Sequence, residues 1–558
     1  VHFLAGGSGG DKAVIEFNKT TFHYSGVNEP ALSDVTLSIP DGAFVLVTGE
    51  SGSGKSTFLR LLNGLIPHFY GGRFGGNVKV YGTDSRTAPV RSLSAMVGQV
   101  FQDSTAQFVT GEATGEIAFG LENIGMPAPD IARRVKETAE LLGIESLLGR
   151  QAATLSGGEK QKVAIASVLA MRPAAIALDE PTAELDPESA EDLLELLIRL
   201  NKEQGLTVIL AEHRLERVLQ FADMVIEIRQ GRITAGPVHE MAGKIENIPP
   251  VVELGRRLDW RPLPVSIEEA KSVIARNEET KQSQHSGKGD HPDKIAASAK
   301  NSLLAMTETH DIALQAENLS FAYGDKAVME DVDLSVYKGQ VTALMGRNGV
   351  GKTTLIKLLC GLLKPLKGRV TIDGLDAATA KAGEVFRKAG YVPQRPGALL
   401  FADTVEEEIY GKWETENGNK DLMSEMGLDN HRNDYPRDLS QGEQQRVALA
   451  AILAKNPSVI LFDEPTHGLD YGAKAALAAR LSDLAAGGKA VIMATHDVET
   501  AAKIADRVLF LDNGRFTADG RPRDVMPAIS ILRTQMNAVF GGDVLTVEDV
   551  IKGEQGCK

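Results

Sequence analysis

Residues 44–65, "FVLVTGESGSGKSTFLRLLNGL", pass from an apolar run through a glycine-rich turn into a helix-period stretch. The apolar run ends at Gly49, and Gly52 and Gly54 follow, which reads as a buried strand whose chain curls and re-enters a helix at Lys55. Such a turn points backbone amides outward at a helix N-terminus, where unsatisfied N–H groups and the helix dipole favour an anion. Lys55 is placed to reach β- and γ-phosphates, Ser56 to offer a hydroxyl to Mg²⁺, and Thr57 completes the phrase. The stretch is expected to bind nucleotide phosphate in an α/β fold.

The plainer alternative, a glycine-rich strand-to-helix turn with no ligand, loses weight because the phrase occurs twice. "GRNGVGKTT" supplies Gly346, Gly349, Gly351, Lys352, Thr353 and Thr354 in the same pattern. Two further phrases echo in the same order: "LSGGEKQKVAIA" from Leu155 with "LSQGEQQRVALA" from Leu439, and "AIALDEPTAELD" from Ala175 with "VILFDEPTHGLD" from Val459. The lysines lie 297 positions apart and the serines and aspartates 284, so the domain is duplicated. The expected division is a flexible leader (1–11), a first domain (12–245), a linker (246–311), a second domain (312–525) and a C-terminal tail (526–558). Within the linker, Ala275–Asn301 is polar, mixed in charge and without apolar periodicity, the composition of a mobile connection. Each copy interleaves β-branched runs with helix-period stretches, which predicts a largely parallel core sheet.

Composition limits what such a pair does. A chain of 558 residues exceeds one hydrophobic core, and 43% hydrophobic with 24% charged residues is an ordinary globular balance. A formal net charge of −15 argues against broad nucleic-acid binding or docking on anionic lipid. The best apolar stretch, Val163–Leu178, is interrupted by Arg172 and Pro173, so any membrane role would come through partner chains. Cys360 and Cys557 form neither a disulfide framework nor a metal-ligand spacing, which favours a reducing setting. The opening "VHFLAGGSGGDK" has no signal-peptide pattern.

The Asp-Glu pairs sharpen the chemistry. "IALDE" and "ILFDE" each end a buried-type strand in two carboxylates, which is costly unless something uses them. Asp179 and Asp463 suit a Mg²⁺ ion or its water, and Glu180 and Glu464 suit polarising a water that attacks a γ-phosphate. A solvated strand end before a Pro turn is the bland alternative, and the phosphate loops disfavour it. "SGGE" and "SQGE" fit the capping box at Ser156 and Ser440, yet Gly157, Gly158 and Gly442 also keep a helix N-terminus open to an anion.

Together these phrases resemble the nucleotide-binding domains of ATP-binding cassette proteins, over nearly everything outside the leader, linker and tail. The resemblance implies two tandem P-loop NTPase domains, each with a largely parallel core sheet, an antiparallel β part and a helical subdomain, using ATP and Mg²⁺. It implies two composite sites closed head to tail: Lys55, Glu180 and His213 with Ser440 and Gly442, and Lys352, Glu464 and His496 with Ser156, Gly157 and Gly158. Tyr24 in "FHYSG" and Tyr323 in "FAYGD" match the adenine-stacking aromatic, although each position also fits a strand core residue. Gln102 and Gln394 match the glutamine that senses Mg²⁺ and water, His213 and His496 the switch histidine, and Asp186 and Asp470 the loop that crosses between domains. Ser56, Gln102, Asp179, Thr353, Gln394 and Asp463 are thus the implied metal-side residues. Gln441 departs from the pattern, standing where a signature glycine is usual.

The first half is most similar to ATPases of energy-coupling-factor importers in "VFQDSTAQFVTGEATGEIAFGLENIGM" and "LAEHRLERVLQFADMVIEI". That likeness implies a peripheral ATPase on the cytoplasmic face of the membrane, energising vitamin or transition-metal ion uptake. Its partners would be an integral membrane scaffold protein and a small substrate-capture membrane protein, with Asp103–Met126 as the docking segment. Two other readings stay open: a tandem ATPase of a sugar importer, and a soluble tandem cassette acting on the ribosome. Residues 271–310 carry six Lys or Arg and five Asp or Glu among helix-breaking residues, unlike the long charged arm of the ribosomal proteins.

Overall fold

The computed structural model describes residues 13–183, 185, 187–284, 311–411 and 422–555. The chain forms two compact units, Val1–Ser266 and Ile267–Lys558. The first contains β1 (Ala13–Tyr24), β2 (Leu32–Pro40), β3 (Phe44–Thr48), β4 (Gly72–Val80), β5 (Thr83–Asp84), β6 (Val97–Val100), β7 (Ala175–Asp179), β8 (Thr207–Ala211), β9 (Met224–Arg229) and β10 (Arg232–Pro237). Strands β2-β1-β4-β5 make an antiparallel sheet, and β10-β9-β3-β8-β7-β6 make a second sheet that is parallel except at β10. Every residue of β3, β7 and β8 is buried, because strands covered on both faces send side chains into apolar surroundings on either side.

The two sheets share one core. Phe17 of β1 stacks on Phe58 of the helix Lys55–Leu62, ring centroids 4.8 Å apart, and Val45, Val47, Ile209 and Ile226 close around them. This contact seats the helix that follows the glycine loop. Helices Ala113–Asn123, Ala128–Leu142 and Gly157–Ala170 build a separate helical part on Ile117, Leu121, Val135, Ala139 and Val163.

The second unit repeats the plan with β11 (Ile312–Tyr323), β12 (Lys326–Tyr337), β13 (Val341–Met345), β14 (Lys367–Ile372), β15 (Leu375–Asp376), β16 (Ala389–Val392), β17 (Val459–Asp463), β18 (Ala490–Ala494), β19 (Arg507–Asp512) and β20 (Arg515–Gly520). The sheet orders, β12-β11-β14-β15 and β16-β17-β18-β13-β19-β20, match the first unit strand for strand. Its helical part is made by Val405–Tyr410, Leu422–Glu425 and Gln441–Leu453.

Structure continues past 245 and past 525. Pro250–Arg257 and Ile267–Gln284 are helical in the first case, Gln535–Phe540 and Val547–Gln555 in the second. "VSIEEA" at 265–270 and "LTVEDV" at 545–550 open the later helix of each pair, an echo too short and too varied to stand out beside the long motifs. Contacts assign Ile267–Gln284 to the second unit, where it packs on Gln535–Phe540. The stretch Ala275–Asn301 therefore begins inside a helix, and its part beyond Gln284, like the leader 1–11, lies outside the described residues.

Phe58 is fully buried. Phe58→Ala should cost the first unit about 3–5 kcal/mol, seen as an earlier urea midpoint in hydrogen exchange of first-unit peptides, with second-unit peptides unmoved.

Candidate functional site

The strand order brings three chain segments together at one edge of each core sheet. β8 lies between β3 and β7, so the glycine loop after β3, the Asp-Glu pair after β7 and the histidine after β8 leave neighbouring strands at their carboxyl ends. In open parallel sheets this edge is where ligands bind.

The loops are shaped by close backbone approach. Gly49 has φ 147° and a Cβ there would lie 2.2 Å from the Ile228 carbonyl; Gly346 has φ 154° and its Cβ would lie 2.4 Å from that of Leu511. Any larger residue would push the loop off the sheet. Lys55 Nζ donates to the Gly49 and Glu50 carbonyls at 2.9 Å each, and Lys352 Nζ to those of Gly346 and Arg347 at 2.8 and 3.2 Å. Both ammoniums are thus folded against their own loops and buried. The remaining loop residues take the predicted places, with Gly54 and Gly351 as left-handed N-caps of the following helices and Gly52 and Gly349 at positive φ before them.

The carboxylate pairs are buried as well. Burial pushes the Asp179 and Asp463 carboxyls up from the ordinary range, opposed by hydrogen bonds from Ser56 and Thr353 respectively. Thr353 Oγ1 stands 3.0 Å from Asp463 Oδ1. Glu180 and Glu464 both sit at φ 49°, a left-handed conformation that ordinary residues avoid, and it recurs at the matched position. His213 Nε2 lies 2.8 Å from Glu180 Oε1, and Gln102 Nε2 donates to Glu180 Oε2 at 3.0 Å. In the second unit His496 Nδ1 lies 2.6 Å from Glu464 Oε2 and Lys352 Nζ 3.7 Å from Oε1. Burial alone would raise the Glu464 carboxyl, but the His496 hydrogen bond and the charges of His496 and Lys352 hold it below its usual value. Burial likewise lowers the Lys352 ammonium, against the pull of Glu464.

Hydroxyl and carboxylate oxygens at the end of a phosphate-shaped loop are the hard donors Mg²⁺ prefers, and it needs few from protein because it keeps several waters. Among the described residues no three His, Cys, Asp or Glu converge as a metal cage. Thr353 with Asp463, and Ser56 with Asp179, fit Mg²⁺ in that sparing way.

Other predicted residues fall less evenly. Gln394 is exposed and makes no bond to Glu464, unlike Gln102 with Glu180. Tyr24 is half-buried, its hydroxyl 3.0 Å from Thr57 Oγ1 and 3.2 Å from Arg60, whereas Tyr323 is 53% exposed, its ring perpendicular to that of Phe321. Ser156 and Ser440 both close capping boxes: their N–H groups donate to Glu159 and Glu443 at 2.7 and 2.9 Å, and each hydroxyl accepts the glutamate N–H. Gly157 is exposed and Gly158 and Gly442 half-buried at these helix starts. Asp470 caps the helix Tyr471–Ala486. Asp186 and the Gln441 side chain lie outside the described residues.

Sequence reasoning missed a clamp on the loops after Gln102 and Gln394. Glu116 Oε2 accepts the Val109 and Thr110 amides at 3.0 and 2.9 Å; Glu408 Oε2 accepts those of Phe401 and Ala402 at 2.6 and 2.7 Å. The loops so held present Val109 and Phe401 at 64% and 74% exposure, while Phe108 turns inward onto the helical core. A buried acid on an otherwise apolar helix face was the available signal.

The ABC transporter family model matches residues 32–183 and 329–467, which takes in both phosphate loops and both Asp-Glu pairs. The chain belongs to the ABC transporter family. Over 537 residues it is 40% identical to a Streptomyces coelicolor protein assigned as an ABC transporter ATP-binding protein, covering 92% of this chain and 95% of that one. Among solved structures it resembles CbiO1 of Clostridium perfringens, part of an ABC transporter complex, at 29% identity over 38% of this chain and 90% of that one, TM-score 0.36. It also resembles an archaeal ribosome recycling factor, aABCE1, at 20% identity and 91% coverage of each chain, TM-score 0.57, a likeness of fold. As an ABC ATPase the chain uses ATP with Mg²⁺.

Replacing both Glu180 and Glu464 by Gln should leave ATP binding near the parent value and lower turnover by at least about a hundredfold. Steady-state phosphate release alongside equilibrium nucleotide binding checks this; parent-rate hydrolysis would remove both glutamates from the chemistry.

Proposed function

We propose that this chain is the ATP-hydrolysing subunit of an energy-coupling-factor-type importer for a vitamin or a transition-metal ion, working at the cytoplasmic face of the membrane. The observation that carries the reading is the pair of exposed apolar residues, Val109 and Phe401, each held by a carboxylate clamp directly after the glutamine of its own nucleotide site. A loop pinned by two backbone bonds to present an apolar side chain to water fits a helix-docking anchor. The "VFQDSTAQFVTGEATGEIAFGLENIGM" and "LAEHRLE" phrases support the same assignment. No described helix is long and apolar enough to cross a membrane, so a membrane-embedded scaffold and substrate-capture protein would be separate chains.

In the proposed cycle the loop amides with Lys55 or Lys352 bind the phosphates, and Glu180 or Glu464 accepts the proton of an attacking water. His213 and His496 orient those glutamates, as their hydrogen bonds already do. Ser56 with Asp179, and Thr353 with Asp463, would hold Mg²⁺, with Gln102 and Gln394 as further residues on the metal side, and the bound ion would supply positive charge against the phosphate oxygens. Tyr24 and Tyr323 face the adenine. Ser156, Gly157 and Gly158 complete the site built on Lys352, and Ser440 with Gly442 that built on Lys55. The side-chain hydrogen bonds of Ser156 and Ser440 are confined to their own capping boxes, which leaves those helix starts open.

Two results test this reading. Ser156→Arg should abolish photolabelling by an ATP analogue at second-unit peptides and spare first-unit peptides; loss confined to the first unit would end the head-to-tail pairing. Val109→Asp with Phe401→Asp should keep basal ATP hydrolysis within about twofold, as surface changes do, while membrane-partner binding and uptake fall together. Recovery of the parent with ribosomes instead of membranes would replace the importer reading with the ribosomal one.

A further inference from the structure

The metal-side carboxylates are not held alike in the two units. β16 pairs in parallel with β17, Tyr391 opposite Leu461. Side chains alternate along a strand, so Tyr391 shares a face with Asp463 two residues further on. Its hydroxyl donates to Asp463 Oδ2 at 3.4 Å while that of Thr353 donates to Oδ1 at 3.0 Å. Each oxygen of the carboxylate therefore has its own hydroxyl.

The first unit has the same register with a different residue. β6 pairs with β7, Gln99 opposite Ala177 and on the face of Asp179. Gln99 stands three residues before Gln102, as Tyr391 does before Gln394. It is 7% exposed, and neither its amide nitrogen nor its amide oxygen has a hydrogen-bond partner. Asp179 is met by the Ser56 hydroxyl, without a counterpart of the Tyr391 bond.

We propose that Tyr391 is a positioning residue for the metal in the second unit, stopping rotation of the Asp463 carboxylate, and that its absence from the first unit makes the two nucleotide sites unequal in their demand for Mg²⁺. A carboxylate anchored at one oxygen can still swing; anchored at both, it is already oriented before the cation arrives and loses less freedom on binding it. Hydrogen-bond partners of metal-binding carboxylates commonly govern affinity in this way. The inference rests on the assignment of Asp463 to Mg²⁺ given above.

The test uses the full chain and a photoreactive ATP analogue, with labelled peptides of each unit quantified by mass spectrometry across a titration of free Mg²⁺. Tyr391→Phe removes only the hydroxyl. Tyr391→Gln copies the residue that the first unit carries at this place, and decides the matter if the phenylalanine variant melts early. Either should raise the Mg²⁺ concentration for half-maximal second-unit labelling about tenfold, the lower end for such partners. First-unit labelling, metal-free labelling and the melting temperature should not move. Asp463→Asn separates the two possible failures. If it leaves the Mg²⁺ curve in place, the metal assignment itself falls; if it shifts the curve and the Tyr391 variants do not, only the role of Tyr391 is overturned.

Discussion

Two carboxylates on adjacent residues at the end of a buried strand are costly to keep out of water, and the rest of each site is arranged around that cost. Burial is the largest cause that pushes the Asp179 and Asp463 carboxyls up from the ordinary range, and the charge of the adjacent glutamate adds to it. The compensating groups come from elsewhere in the chain: Ser56 or Thr353 from the helix after the glycine loop, His213 or His496 from the strand between, Gln102 from the neighbouring edge. Only a parallel sheet with β8 between β3 and β7, or β18 between β13 and β17, delivers them to one place.

Most of this was legible in the sequence because its parts are short and local. A glycine loop, an acidic dipeptide after an apolar run and a capping box each fit within a dozen residues, and their recurrence in fixed order gave the duplicated α/β plan that the strand orders bear out. What stayed hidden depends on register or on contacts across the fold. Nothing in "GYVPQ" says that the tyrosine meets Asp463, because that follows from which strand β16 pairs with. Glu116 reads as one more acid on a helix until the loop amides it accepts are known. The helices beyond 525 are short, and Leu532, Met536, Leu545 and Val547 bury too few apolar positions to announce a periodicity.

The duplication also exposes how far two copies drift while keeping one geometry. The positive φ at Glu180 and Glu464 is conserved within the chain to the degree, although a left-handed glutamate is strained. The histidine nitrogen that meets it does differ: Nε2 of His213 lies 2.8 Å from Glu180, and Nδ1 of His496 lies 2.6 Å from Glu464. The backbone position is the same in both copies while the ring is turned differently to reach it.

The clamps on the two exposed loops have a mechanical side. Glu116 belongs to the helix Ala113–Asn123, which packs along the helix Gly157–Ala170 capped by Ser156; Glu408 and the helix Gln441–Leu453 capped by Ser440 are related in the same way. Each exposed loop is thus tied, through two amide bonds to one carboxylate and one helix-on-helix packing, to the helix that begins with the serine, so a change in the backbone at Val109 or Phe401 cannot be made without disturbing the packing behind it.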